Sequence, residues 1–140
     1  MIEFVPDMLM NVALIDEQHM DLVKRINEVV TMGSRAANRE EIEKSLVFLA
    51  NYVVKHFGDE EKVQLQIGYP KYQQHRQQHL LFIEDYKKFL MDYKQNGSST
   101  NFMLQLNRAV IRWVVQHLQG ADAELAKYIK THRITVAPIE

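Results

Sequence analysis

The amino-acid sequence predicts an all-α protein, an antiparallel up-down-up-down four-helix bundle with an N-terminal arm and a short C-terminal helix and tail. Two observations carry this prediction. Apolar residues recur at intervals of three and four along four segments of about 18 to 28 residues, which is the period of a helix with one buried face. Short stretches that contain glycine, proline or serine separate these segments, and short connections favour antiparallel neighbours.

Length and composition favour one folding unit. The chain has 140 residues, of which 46% are hydrophobic and 25% charged. That is enough for one domain with a substantial core and too little for two large ones. We therefore expect a single domain that spans residues 1–140.

The first helix is predicted to follow a non-periodic arm that contains Pro6. Asp16 is a plausible N-cap, because a short acidic side chain can accept hydrogen bonds from the first free backbone N–H groups of a helix. The helix would then run from Glu17 towards Ala36. Gly33 and Asn38 are expected to mark its end.

The second helix is predicted from about Arg39 to Gln66 and stops at Gly68. Tyr69 and Pro70 would begin the third helix, since glycine is typical after a helix and proline is typical of a first turn. The two helices therefore form a tight antiparallel hairpin.

Residues 96–100, with the sequence Asn-Gly-Ser-Ser-Thr, form the only small polar linker and separate the third helix from a fourth over about Asn101 to Leu118. Gly120 interrupts the helical pattern. A short helix over Ala121 to Lys130 is predicted next, followed by an extended tail from Thr131 to Glu140.

Polar side chains with metal-binding atoms lie on the predicted buried faces of all four helices. A buried polar group without a partner costs several kcal/mol, and an unpaired carboxylate costs more. A metal centre would satisfy all of these groups at once, so we treat them as candidate ligands. The seven candidates are His19, His56, Glu60, His75, His79, His117 and Asp122.

Spacing supports a shared centre. His56 and Glu60 are four residues apart, as are His75 and His79, so each pair presents two donor atoms from one helix face. A single inward-facing histidine is more often a hydrogen-bonded core residue than a ligand. The joint pattern on four helices favours metal binding instead.

Asp122 lies five residues after His117, a spacing that does not stack on a regular helix. Gly120 supplies a break that could turn Asp122 back towards the same centre. His132 is left over and is assigned to the solvated surface. For Glu61, a surface salt bridge is favoured over a contact with a ligand histidine, which remains the alternative.

Charge and cysteine content exclude several functions. The formal net charge is −1 and acidic and basic residues are intermixed, so we expect no nucleic-acid partner and no anionic-lipid surface. No cysteine is present, which rules out disulfides, thiolate ligands and iron–sulfur clusters. No segment resembles a secretion signal or approaches the roughly 20 apolar residues of a membrane span, so a cytoplasmic protein without membrane insertion is expected.

Several local motifs together resemble the hemerythrin family, and bacterial hemerythrins in particular. The resemblance covers about residues 12 to 126, with the seven candidate ligands in family order and at family-like spacing. The motifs are Ile15-Asp16-x2-His19, His56-Phe57-x2-Glu60-Glu61, Tyr69-Pro70-x4-His75-x3-His79 and Trp113-x3-His117-x4-Asp122.

The resemblance implies two non-heme iron ions inside the bundle, bridged by Glu60, Asp122 and an oxo or hydroxo group. It implies that three histidines hold one iron, while His19 and His56 hold the other, which keeps an open coordination position. Dioxygen would bind there as hydroperoxide. The ligands implied for the first iron are His75, His79 and His117.

By matching positions, the resemblance also implies an oxygen pocket that must stay dry, lined by Leu22, Phe57, Trp113 and Val114. Ordinary core packing is the other interpretation of these four residues. Val114 is smaller than the leucine common at such positions, and is expected to widen access to the open iron.

The expected function is reversible dioxygen binding for carriage, storage or delivery, without enzymatic activity. Dioxygen is the expected partner, together with an oxygen-consuming enzyme or an electron donor. Alternatives are a sensor of oxygen, nitric oxide or redox state, and a reductase of peroxide or nitric oxide at the same site. Iron storage and a metal-free structural bundle are weaker alternatives. Polar outward positions favour a monomer, and the length resembles a stand-alone protein.

Overall fold

The computed structural model of the chain describes residues 2–3, 8–32, 38–97 and 99–138. All regular secondary structure in these parts is helical, and turns or irregular segments connect the helices. The helices are α1 (Ala13–Met32), α2 (Arg39–Ile67), α3 (Tyr72–Asn96), α4 (Thr100–Gln119) and α5 (Ala121–Thr131).

Four of the helices pack as an antiparallel bundle. The main contacts join α1 to α2, α2 to α3, α3 to α4 and α4 back to α1, while α5 packs on α4. Helices α1 and α2 run in opposite directions: Gln18 of α1 contacts Asp59 of α2, and further along α1 Arg25 lies over the ring of Phe48, which comes earlier in α2. The predicted bundle and its short fifth helix are confirmed.

Tyrosines on α3 fix its register against α2. The Tyr86 hydroxyl donates to the Leu46 carbonyl at 2.8 Å, and the Tyr93 hydroxyl donates to the Arg39 carbonyl at 3.2 Å. Residue numbers rise along α3 as they fall along α2, which confirms the predicted hairpin. Both rings are buried with their polar ends satisfied, as amphipathic core residues require.

The start of α1 differs from the prediction. The helix begins at Ala13, so Asp16 lies inside its first turn and is not the N-cap. Its carboxylate instead accepts from the Met10 backbone N–H at 2.6 Å and ties the arm to the helix. Ile15 is fully buried in a hydrophobic cluster with residues of α2 and α5, and this burial favours a helix that starts before Asp16.

Two other helix ends also differ. Asn38 was expected to end the first helix, but it is the N-cap of α2, where its side chain accepts from the Glu41 backbone N–H at 2.8 Å. Pro70 lies in the turn before α3, which begins at Tyr72. Gly68 ends α2 in the left-handed conformation with φ of 65°, as predicted for a glycine in that position.

Pro6, Gly33 and the predicted end of the first helix near Ala36 lie outside the described residues. None of the five described helices combines the length and apolar character that a membrane crossing requires.

Two hydrophobic clusters divide the interior along the bundle axis. The larger, which we call the upper cluster, fills the part of the bundle that includes Leu22, Phe57, Phe82 and Val114. The smaller, or lower cluster, packs α5 and the arm against the ends of α1 and α2. Its buried members are Met10, Val12, Ile15, Val63, Tyr69, Leu125, Ala126 and Ile129.

Candidate metal centre

All seven candidate ligands lie together between the upper and lower clusters. On α1, His19 lies between Ile15 of the lower cluster and Leu22 of the upper cluster, and on α2, Glu60 lies between Phe57 of the upper cluster and Val63 of the lower. Every one of the seven is buried, and Glu60 is 0% exposed. His132, by contrast, is exposed, as predicted.

The seven side chains form two groups that share one carboxylate. Within each group, one nitrogen or oxygen atom per residue lies within 4.8 Å of the corresponding atoms of the others. The smaller group is His19, His56 and Glu60. The larger group is Glu60, His75, His79, His117 and Asp122.

The two oxygens of Glu60 point to different groups. Oε1 lies 2.7 Å from Nε2 of His75 and 3.2 Å from Nε2 of His79. Oε2 lies 3.2 Å from Nε2 of His19 and 3.4 Å from Nε2 of His56. One carboxylate therefore faces both histidine groups at once.

Asp122 divides its oxygens in the same way. Its Oδ1 lies 3.0 Å from Nε2 of His75 and 3.1 Å from Nε2 of His117, while Oδ2 lies 3.4 Å from Nε2 of His19. Both Asp122 oxygens are buried, and neither has a hydrogen-bond partner within the described part of the chain. Short polar approaches without hydrogen-bond alignment are what ligands of a common cation make.

Gly120 brings Asp122 to the site. It separates α4 from α5, with φ −105° and ψ −93°, so the chain turns and Asp122 falls in the first turn of α5. A Cβ at this position would lie 2.8 Å from the Gln116 carbonyl oxygen. The predicted break is present, and glycine is required there by a close approach of the backbone.

Replacing Gly120 with alanine is expected to shift α5 and weaken metal binding, because the added methyl group must push the Gln116 carbonyl away. Overpacking of this kind costs about 1–3 kcal/mol. Metal titration and thermal unfolding would measure both effects. Gly58→Ala is the matched control: its Cβ meets nothing within 4 Å in α2, and it should raise stability by about 0.5–1 kcal/mol. Equal behaviour of the two variants would contradict the expectation.

Polar groups outside the seven orient two of the α3 and α4 imidazoles. The Nδ1 atom of His117 lies 3.0 Å from the Gln78 amide oxygen, and that of His79 lies 3.1 Å from a Glu61 carboxylate oxygen. Both oxygens only accept, so each Nδ1 carries the proton and each Nε2 presents its lone pair to the centre. Arg76 lies 3.4 Å from the other oxygen of Glu61.

His56 is oriented by a buried amide on α1. Its Nδ1 lies 2.9 Å from the Gln18 amide oxygen, and the Gln18 amide nitrogen donates to Asp59 at 2.8 Å. Burial raises the pKa of Asp59, but hydrogen bonds from Lys55 and Gln18 outweigh burial and hold it below its usual value. The Gln18 amide therefore donates to an ionised carboxylate on the side away from His56.

Sequence reasoning missed Gln18 and Gln78. Gln18 carries a usable signal, because it lies three residues after Ile15 and four before Leu22 on the buried face of α1. Gln78 is exposed and carries none. The predicted salt bridge of Glu61 at the surface is present, but the contact to a ligand histidine, ranked second from the sequence, is present as well.

The buried carboxylates attract positive charge strongly. Burial would raise the pKa of Glu60, but the imidazoles of His19, His75 and His79 hold it well below its usual range. Burial would lower the pKa of His75, but the Asp122 and Glu60 carboxylates raise it to about 10. The chain therefore draws a proton or a metal cation to the same place.

The donor set fits a metal. Nε2 of His117 lies 3.1 Å from Nε2 of His75 and 3.1 Å from Nε2 of His79. Because His79 and His117 each carry a proton on Nδ1, their lone pairs would face each other unless a cation or an added proton were shared between them. Five imidazoles and two carboxylates, without thiolates, form a donor set that suits iron.

The four predicted oxygen-pocket residues divide into two kinds. Leu22, Phe57 and Val114 are buried in the upper cluster, whereas Trp113 is half-buried against it. The Phe57 ring stacks on His79 with centroids 3.9 Å apart, and Trp113 stacks on His117 at 4.3 Å. Their role as an oxygen pocket stays a prediction.

A surface groove of about 480 Å³ reaches the larger ligand group. His75 and His117 lie at its base, Trp113 and Gln78 line it, and Lys71 pairs with Glu124 at 3.0 Å on its rim. The half-buried position of Trp113 follows from this groove.

Comparison with known proteins agrees with the site. Residues 10–129 match the model of the hemerythrin HHE cation-binding domain. A bacteriohemerythrin of Stenotrophomonas maltophilia is 26% identical over 129 residues, which cover 90% of this chain and 80% of that protein. For a bacteriohemerythrin of Campylobacter jejuni the values are 28% over 120 residues, 85% and 88%.

A bacteriohemerythrin of Methylococcus capsulatus is 30% identical over 119 residues, which cover 80% of this chain and 83% of that protein. The family match spans α1 to α5 and includes all seven buried candidate ligands. The chain therefore belongs to the hemerythrin family.

Proposed function

We propose that the chain binds dioxygen reversibly at a non-heme di-iron centre and serves as an oxygen carrier or local store. One observation carries the proposal. Glu60 and Asp122 each direct one oxygen to the larger histidine group and the other to the smaller, at 2.7–3.4 Å from imidazole nitrogens. Carboxylates divided in this way are suited to bridge two metal ions.

In this proposal the two irons have unequal ligand sets. One would be held by three histidines and the other by two, so the second would keep a position for dioxygen, and the metal pair would supply the two electrons that reversible binding needs. Glu60 and Asp122 would bridge them. The three-histidine set is His75, His79 and His117, and the two-histidine set is His19 and His56.

The surrounding residues support reversible binding over substrate oxidation. Only two carboxylates face five imidazoles, and fewer anionic ligands stabilise high-valent iron poorly. Leu22, Phe57 and Val114 are buried beside the ligands and exclude water from that side. A dry pocket matters because water or a proton that reached the bound oxygen would displace it.

The pocket role of Val114 can be tested by enlarging the side chain. Val114→Leu is expected to slow both oxygen binding and autoxidation, because the extra methylene narrows a buried space three residues before His117. Stopped-flow mixing and slow optical decay measure the two rates. Val110→Leu, at another buried valine one turn earlier on α4, controls for overpacking and should change neither rate. Unchanged rates in Val114→Leu would remove Val114 from the pocket.

The proposed function is tested by loading the protein with ferrous iron without oxygen, then adding and removing oxygen repeatedly while optical spectra are recorded. Spectral bands that appear and vanish over many cycles are expected. Immediate conversion to a diferric form that no longer binds oxygen would overturn the carrier proposal.

A second candidate is reduction of peroxide or nitric oxide at the same centre. The groove beside Trp113 favours it, because the half-buried ring stacks on His117 and lines the groove, where an electron donor could approach the ligands. Sustained consumption of peroxide or nitric oxide with a chemical reductant would favour this candidate over carriage.

A further inference from the structure

Gln18, Asp59 and His56 form a buried chain of hydrogen bonds behind the smaller ligand group. The Gln18 amide nitrogen donates to Asp59 Oδ2 at 2.8 Å, and the Gln18 amide oxygen accepts from His56 Nδ1 at 2.9 Å. Gln18 is 6% exposed and Asp59 8% exposed, so water has little access to either contact. The chain runs from α2 to α1 and back to α2.

The order of donors and acceptors in this chain can run in only one direction. A carboxylate only accepts, so the amide nitrogen of Gln18 must face Asp59 and the amide oxygen must face His56. An amide oxygen also only accepts, so His56 must carry its proton on Nδ1. Its Nε2 then has a free lone pair on the side of Glu60 Oε2, 3.4 Å away.

We propose that Asp59, acting through Gln18, fixes the tautomer of His56 and so sets metal affinity at the smaller group. Asp59 and Gln18 are positioning residues in this proposal, which rests on His56 being a ligand in the proposed centre. Without Asp59 the Gln18 amide could turn over, present its N–H groups to His56 and move the imidazole proton to Nε2. That tautomer cannot bind a metal through Nε2.

Asp59 is itself held in place from α2. Lys55 lies 2.9 Å from Oδ2 and Lys62 lies 3.9 Å from Oδ1. Lys55 and Lys62 each lie about one helical turn from Asp59, so α2 itself contributes two contacts that hold the carboxylate in place. Asp59 on α2 therefore sets the direction of donation in the hydrogen-bond chain, and Gln18 on α1 transmits that direction to His56.

The larger group offers an internal comparison. Gln78 contacts His117 Nδ1 at 3.0 Å in the same way, but Gln78 is exposed, so water can satisfy its amide nitrogen. No buried carboxylate is needed there. The proposal therefore predicts effects of Asp59 on the smaller group alone.

Three variants of the full chain test the proposal. Asp59→Asn lets the amide turn over, and Gln18→Glu places two like charges against each other, which should push the glutamate away from both Asp59 and His56. Each variant should therefore weaken binding of one of two Co²⁺ ions by about 10-fold or more. The double variant Gln18→Glu with Asp59→Asn restores one donor order: the new asparagine donates to the new glutamate, which accepts from His56. It should recover most of the affinity.

Titration of the metal-free chain with Co²⁺ measures both affinities, and circular dichroism confirms that each variant stays helical. Nitrogen-15 shifts of His56 in the metal-free chain read the tautomer without any metal, with the proton expected on Nδ1 in the parent and partly on Nε2 in Asp59→Asn. Unchanged affinity and tautomer in Asp59→Asn, or a double variant no better than the single ones, would overturn the proposal.

These readouts need no oxygen. A parent protein that binds Co²⁺ with the expected variant pattern but fails to cycle oxygen would leave the proposal intact and defeat only the carrier function. Asp85→Asn, at an exposed aspartate on α3, is the control for charge loss and should change neither affinity nor tautomer.

Discussion

Glu60→Gln is expected to lower iron binding from two ions per chain to at most about one, because the buried positive charge of two metal ions would lose its central anion. Glutamine keeps the size of glutamate and one acceptor oxygen, but its amide nitrogen cannot be a ligand. Both groups contact Glu60, through Oε1 and Oε2 separately, so both should weaken. Iron assay after anaerobic loading and gel filtration measures the loss.

Glu43→Gln is the matched control, since Glu43 is exposed on the same helix and the charge change is identical. It should keep two irons. Circular dichroism should show that both variants remain helical. Two irons retained in Glu60→Gln would mean that Glu60 is not shared between the metals, whatever its position.

Removal of the metal is expected to lower thermal stability strongly. Ligands that bind only the folded state add about 4 kcal/mol when the free metal concentration is about 1,000 times its Kd. For a chain of this size that corresponds to a change in Tm of about 10–15 °C. The physical reason is the burial of Glu60 and Asp122, whose carboxylates have no hydrogen-bonded cation from lysine or arginine within the described helices.

Scanning calorimetry of iron-loaded and chelator-treated protein measures this difference. In Glu60→Gln the two samples should melt at nearly the same temperature, whereas Glu43→Gln should keep the full difference. Equal Tm values for loaded and metal-free parent protein would show that the folded chain gains nothing from the metal, against the interpretation of the seven buried ligands.

Most of the fold could be predicted from the sequence because the buried faces of α2, α3 and α4 repeat at helical spacing. Helix ends were harder. Asp16 has the local chemistry of an N-cap, but burial of Ile15 in the lower cluster extends α1 back to Ala13, and local preference does not contain that tertiary contribution. Asn38 was assigned to the wrong helix for a different reason: its side chain suits both the end of one helix and the start of the next.

The site was predictable as a set of residue types at helical spacing, and Gly120 indicated how Asp122 could reach it. Contacts that depend on how two helices face each other were not. Glu61 lies off the buried face of α2 by periodicity, and only the register of α3 brings His79 to it. The prediction that dioxygen is the ligand came from the family resemblance. Buried histidines and carboxylates indicate that a metal binds, but they do not indicate which small molecule the metal then binds.

Placement of Asp122 on α5, beyond the four-helix bundle, has a further consequence. Asp122 and His19, near the start of α1, are separated by roughly 100 residues of chain. In the polymer model, a covalent link that closes a loop of that length stabilises the folded state by about 4.7 kcal/mol, because it lowers the entropy of the unfolded chain. The chain contains no cysteine. A metal held by both His19 and Asp122 would act as a cross-link in place of a disulfide. Such a cross-link would form and open with the supply of metal, whereas a disulfide depends on redox conditions.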